Sequence, residues 1–123
     1  MNKEDLRQHI KNIRINIIKE VSSANSGHPG GSLGAAEIVS ALYFNIMDIT
    51  PENARSLDRD RFVLSKGHCS PLLYAVLAEK GIIEDEKELV NFRKFGSRLQ
   101  GHPDMNKVPG VDMSTGSLGQ GIS

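Results

Sequence analysis

Tryptophan is absent from this chain and cysteine occurs once, at Cys69. A lone cysteine has no intrachain partner, so a disulfide framework is excluded and a reducing compartment, the cytoplasm, is expected. Net charge is missing too: fifteen basic residues balance fifteen acidic ones. No one-sided field therefore points to nucleic acid or to an anionic membrane. Apolar runs last only a few residues, far short of the roughly 20 that a membrane-spanning helix needs. The opening stretch MNKEDLRQHIKNIR is charged and amphipathic, without the apolar core of a secretory signal. There is no internal repeat and no linker. The 123 residues have the length of one ordinary domain, with 38% hydrophobic content for its core.

Leu6, Ile10, Ile13, Ile17 and Val21 recur every three or four residues, which predicts a helix over 3–23 with one apolar face and Asn2 as its N-cap. A second helical stripe follows in Ala35, Ile38, Val39, Leu42, Tyr43 and Ile46. Between the two, the chain is expected to cross a tight glycine-rich loop carrying His28. Phe62-Val63-Leu64 is short, apolar and preceded by charge, and reads as a buried strand. Ser70 and Pro71 supply an N-cap and a first-turn proline, LLYAVLAEK continues the helix, and Gly81 suits the position past its end. Another helix is expected over 84–95. Strand, short loop and capped helix form the unit of an α/β fold with a parallel sheet and flanking helices, in which ligands bind at the carboxyl ends of strands. His68 lies in that loop. From Gly96 onward the chain is rich in Gly, Pro, Ser and Asp, and it stops just after a glycine cluster, an ending that reads as an interruption.

Three of the four histidines directly follow a glycine: His28 in SGHPGGSLG, His68 in SKGHCSP and His102 in GHPD. In Gly-His-Pro the proline holds the histidine extended and the glycine permits a sharp entry or close approach. Such a loop either anchors its imidazole to backbone or aims it at a ligand, and three such loops favour the second reading. None has the ligand spacing of a zinc site. STGSLGQG can present backbone N–H groups to phosphate, although it matches neither named phosphate-loop pattern and also suits a flexible turn. Cys69 fits a small residue at a helix start better than a catalytic thiol. Lys66 serves an anion or simply solvent, and His9 falls at the surface or boundary of the first helix.

Taken in order, SGHPGGSLGAAEIVSALYF, RDRFVLSKGHCSPLLYAVLAEKG, GHPD and STGSLGQG resemble the amino-terminal segment of transketolases, over roughly residues 10–123. LSKGHCSPLLYAVLAEKG is most similar to the branch in which this half and the pyrimidine-binding half are separate polypeptides. The resemblance implies that residues 1–123 are the N-terminal part of a thiamine diphosphate-binding domain, incomplete at the C-terminus. The implied activity is transfer of a two-carbon ketol unit from a ketose phosphate to an aldose phosphate. It also implies that His28 contacts substrate near the reacting carbons, and that His68 lies near the cofactor diphosphate and the reacting centre. By the same resemblance His102 reaches the donor's terminal hydroxyl, and Gly116, Ser117 and Leu118 line the cofactor. Imidazoles suit this chemistry, since protons move on and off hydroxyls while an oxyanion forms and collapses.

The family's Gly-Asp-Gly motif, which supplies the Mg²⁺ ligands, has no counterpart in these residues, and its activating glutamate belongs to the pyrimidine-binding half. Two readings follow. The chain is the front portion of a transketolase, inactive without the remaining sequence and its partner half, and forms a homo- or hetero-oligomer. Alternatively it is a truncated remnant that binds a partner or serves assembly. A related ketol transferase acting on another sugar also fits the residues.

Overall fold

A computed structural model describes residues 1–118. Its first element, α1 (Lys3–Ala24), begins where the sequence predicts: the Asn2 side chain accepts from the Asp5 N–H at 2.8 Å, and Glu4 and Asp5 occupy the first turn. There they complement the positive end of the helix dipole. Asn25, in the left-handed region at φ 51°, ends the helix. The face that α1 buries is Ile13, Asn16, Ile17 and Glu20, so two polar side chains continue the apolar stripe inward.

The glycine-rich stretch expected as a loop instead contains α2 (Pro29–Gly34), a single short helix with Pro29 in its first turn. The cue was present: a proline fits the first helical position because its missing N–H costs nothing there. α3 (Ala36–Ala41) follows and widens into a π turn over Leu42–Ile46. Only part of the predicted stripe is covered, since Val39 and Tyr43 are buried while Ile38 and Ile46 are 68% and 69% exposed.

α4 (Ser70–Glu79) is the centre of the molecule, with every residue from Ser70 to Leu77 buried. A helix that is apolar all round belongs in the interior, and α4 packs against α1, α2, α3 and the 3₁₀ turn at 86–91. Gly81 follows its end at φ 84°. Ser70 is not the N-cap. Cys69 holds that position after a 3₁₀ turn (Gly67–Cys69), and the Ser70 hydroxyl donates to the Gly101 carbonyl at 2.8 Å.

Two further expectations are corrected. Among the described residues there is no strand, so the parallel sheet is not seen and the described segment is helical with long loops. Phe62-Val63-Leu64 lacks a pairing partner; the Phe62 N–H donates to the Asp112 carboxylate at 2.7 Å instead of to a neighbouring strand. The helix expected over 84–95 is only a 3₁₀ helix, Glu86–Asn91, capped by Asp85, whose carboxylate accepts from the Lys87 N–H at 2.9 Å. The chain turns soon after it through Arg93 at φ 64°. No helix of the described residues is long and apolar enough to cross a membrane.

Candidate functional site

The three Gly-His loops converge at the N-terminal end of α4. His28 is the residue before α2, with φ −119° and ψ 80°, outside the helical region as its following proline requires. His68 sits in the 3₁₀ turn that feeds α4. α2 approaches this turn closely because residue 31 is glycine: a Cβ there would lie 2.6 Å from the Cys69 sulfur. Lys66 closes the same contact, its ammonium donating to the Gly31 carbonyl at 3.1 Å. This contact accounts for Lys66 without a ligand. The buried Cys69 thiol fills the start of the helix, as expected from its size. The outcome is that the His28 and His68 rings meet edge to face, 5.1 Å between centroids at 75°.

His102 arrives from the other side. α4 holds its loop through two carbonyls: Ser70 donates to Gly101, and the Tyr74 hydroxyl donates to Gln100 at 2.7 Å. Burial pushes the Tyr74 phenol well up from its ordinary range, with the Glu20 and Asp104 carboxylates adding to the rise. The hydroxyl therefore stays protonated as a donor. The His102 Nδ1 lies 2.9 Å from the Thr115 hydroxyl.

His28, His68, His102, Gly116 and Leu118 together line one open cavity of about 340 Å³. Five of the six residues expected to touch substrate or cofactor thus share one site. Ser117 lies in the same loop but outside the lining, and residues 119–121 of STGSLGQG fall outside the described residues. Sequence reasoning missed Thr115, although it lies within that motif as a lone β-branched residue among glycines and serines.

The donor set decides what the cavity can hold. Among the described residues no carboxylate lines it, and no group of three or more His, Cys, Asp or Glu is placed to hold a metal. Three imidazoles suit anionic oxygens and hydroxyls. At Gly116 a Cβ would meet nothing within 4 Å, so a ligand can reach the backbone there. The volume falls at the lower end of small-molecule sites. These residues fit the polar parts of a diphosphate cofactor and a sugar; they do not fit a magnesium site.

Comparison with known proteins agrees with this chemistry. The profile of the family described as transketolase, thiamine diphosphate binding domain, matches residues 6–123. A transketolase of Treponema pallidum is 48% identical over 123 residues, covering 100% of this chain and 19% of its own length. The 6-deoxy-6-sulfo-D-fructose transketolase subunit SqwG of a Clostridium species is 46% identical over 119 residues, covering 97% of this chain and 43% of its own. Among solved structures, the transketolase from Leishmania mexicana superposes with a TM-score of 0.88 at 38% identity, over 95% of this chain and 18% of that one. The chain therefore spans under a fifth of the first and third of these relatives and less than half of the second.

Proposed function

This chain belongs to the transketolase thiamine diphosphate-binding domain family, and on that premise we propose that it is the front part of a ketol-transferring enzyme. The observation that carries this reading is the one cavity shared by three Gly-His loops that lie far apart in sequence. Residues 1–123 are then the N-terminal part of the diphosphate-binding domain. Its parallel sheet is built by sequence beyond this segment. A pyrimidine-binding half or subunit closes the other side of the site in an oligomeric, cytoplasmic assembly. Sugar phosphates are the substrates.

When bound, thiamine diphosphate supplies the nucleophilic carbon and electron sink for two-carbon transfer. The residues of this chain do the rest of the work on their side of the cavity. His28 holds or moves a proton at the hydroxyls next to the reacting carbons, and His102 reads the donor's terminal hydroxyl. His68 faces the diphosphate and the reacting centre. Gly116 and Ser117 offer backbone, and Leu118 an apolar contact, to the cofactor. Aimed from packed loops, these imidazoles need little reorganisation as charge develops. The Mg²⁺ ligands come from outside these residues.

A second reading of the substrate is favoured by the resemblance to a subunit acting on 6-deoxy-6-sulfo-D-fructose: the donor's distal group is a sulfonate instead of a phosphate. Both readings use the same histidines.

The test is a graft. Residues 6–123 replace the matching segment of the Treponema pallidum transketolase, which then supplies the metal motif and the pyrimidine-binding half. Ketol transfer within about tenfold of the parent, roughly 1.4 kcal/mol of barrier, is the expected result. A folded, cofactor-binding chimera without transfer overturns the proposal. Comparing phosphorylated and sulfonated donors in the native assembly separates the two substrate readings.

A further inference from the structure

Thr115 touches two of the three Gly-His loops that line the cavity. Its hydroxyl lies 2.9 Å from the His102 Nδ1. Its backbone N–H donates to the Pro103 carbonyl at 3.2 Å, so the Gly-His-Pro loop is gripped at two consecutive residues. Its side chain also covers the bare backbone of Gly67, the residue before His68: a Cβ built on Gly67 would collide with the Thr115 hydroxyl, its Cβ and its methyl group. The next residue, Gly116, is part of the cavity lining. One β-branched side chain, stiff at χ1, thus joins the loops of His68 and His102 to the glycine-rich segment.

The bond can run in either direction, depending on the tautomer of the ring. Donation to Nδ1 gives the Thr115 O–H a partner, and the hydroxyl has no other among the described residues. A neutral imidazole that accepts at Nδ1 carries its proton on Nε2. We propose that Thr115 is a positioning residue that holds His102 as the Nε2–H tautomer, presenting a hydrogen-bond donor to the cavity, while its methyl group supports the His68 turn. This rests on the cavity being a ligand site. An Nε2–H donor suits a substrate hydroxyl oxygen or a developing alkoxide, whereas a bare Nε2 can only accept from a hydroxyl and repels an alkoxide.

Threonine is needed for both tasks, and its two substitutions separate them. Thr115→Ser keeps the hydroxyl and loses the methyl; Thr115→Val keeps the branched shape and loses the hydroxyl. The readout is long-range proton–nitrogen correlation NMR on the histidine-labelled chain itself, at pH about 8, where an ordinary imidazole is neutral. In the wild type and Thr115→Ser, His102 should show a protonated, pyrrole-like Nε2 and a bare, pyridine-like Nδ1. In Thr115→Val the two resonances should move toward each other as the tautomers exchange, with the fold kept as judged by circular dichroism. Averaged nitrogens or a protonated Nδ1 in the wild type would overturn the proposal, and so would a folded Thr115→Val with an unchanged His102 pattern. Should Thr115→Val fail to fold, the wild-type spectrum alone decides. The tautomer is readable in this chain whether or not the grafted enzyme transfers ketol groups, so the two failures are distinguishable.

Discussion

Two polar clusters tie loops together in this molecule, and they do so in opposite ways. In the first, the Arg59 and Asp112 side chains are 3% and 2% exposed and pair in bidentate fashion. The same carboxylate accepts from the Phe62 N–H and lies 3.5 Å from Arg61, while Arg59 also donates to the Ala54 and Asp60 carbonyls. Both Asp112 oxygens, and Nε, Nη1 and Nη2 of Arg59, find partners within the protein. In the second, His28 and His102 are exposed and His68 half-buried. The only hydrogen bond of their rings among the described residues joins His102 Nδ1 and the Thr115 hydroxyl. Buried polar groups in a fold normally find partners. A cluster closed on itself holds the chain, and one with open valences is available to a ligand.

Removing the Asp112 carboxylate tests the closed cluster and should give the largest effect. Asp112→Ala leaves a buried guanidinium and a backbone N–H unpaired, and breaking a buried pair from one side costs about 3–5 kcal/mol. Denaturant unfolding should show a loss of that size, or no folded state at all. A loss under about 1 kcal/mol, the value of an exposed pair, would break the contrast.

Alanine at His28, His68 or His102 should do the reverse. In the grafted enzyme each substitution is expected to lower turnover about 10²–10³-fold, or roughly 3–4 kcal/mol of barrier. The midpoint of unfolding should barely change, because these rings close almost no internal bonds. His102→Ala should spare cofactor binding and His68→Ala should weaken it, read by calorimetric titration. Parental turnover in all three variants would return these histidines to a merely structural role.

The residues that line the shared cavity were legible because local motifs carry them. Gly-His at three places and the proline after His28 and His102 show in the letters themselves. α1 was legible for a similar reason, as Asn2, the apolar period and Asn25 are all local signals. What escaped depends on partners. Phe62–Leu64 has strand composition, but a strand exists only when paired, and the Phe62 N–H donates to Asp112. Ser70 has N-cap chemistry, yet Gly101 lies within reach of its hydroxyl. Thr115 was not singled out, because its contacts are with Gly67 and His102, 48 and 13 positions away.

Glu20 belongs to neither class and sharpens the rule. It is fully buried on α1, and neither carboxylate oxygen has a hydrogen-bond partner among the described residues. Desolvation holds its carboxyl well above the usual glutamate range. The folded state therefore keeps a proton that the unfolded chain releases. That contribution to stability is whole below the usual glutamate pKa and is lost as pH rises through the folded value. Glu20→Gln should flatten this dependence, because the amide does not titrate. Chemical denaturation on both sides of the usual glutamate pKa checks it, and a variant that loses stability with rising pH as steeply as wild type would refute it.

The smallest effect belongs to the one histidine outside the cavity. His9 was expected at the surface or boundary of the first helix, and it does more there than face solvent: its Nδ1 lies 2.8 Å from Glu79 at the end of α4, and its ring stacks on Phe44 at 4.2 Å. That ties α1 to two other elements, so His9→Ala should carry some cost. Two features keep it low. The Glu79 carboxylate also accepts from the Asn12 amide at 2.9 Å, so it is not left bare, and the His9 side chain is 29% exposed, which lets water replace part of what is lost. A loss of about 0.5–1 kcal/mol follows, with turnover of the grafted enzyme unchanged. Glu79→Gln combined with His9→Ala should then show a coupling within the same range. A turnover defect in His9→Ala equal to that of His102→Ala would erase the distinction between histidines that tie helices together and histidines left open for a ligand.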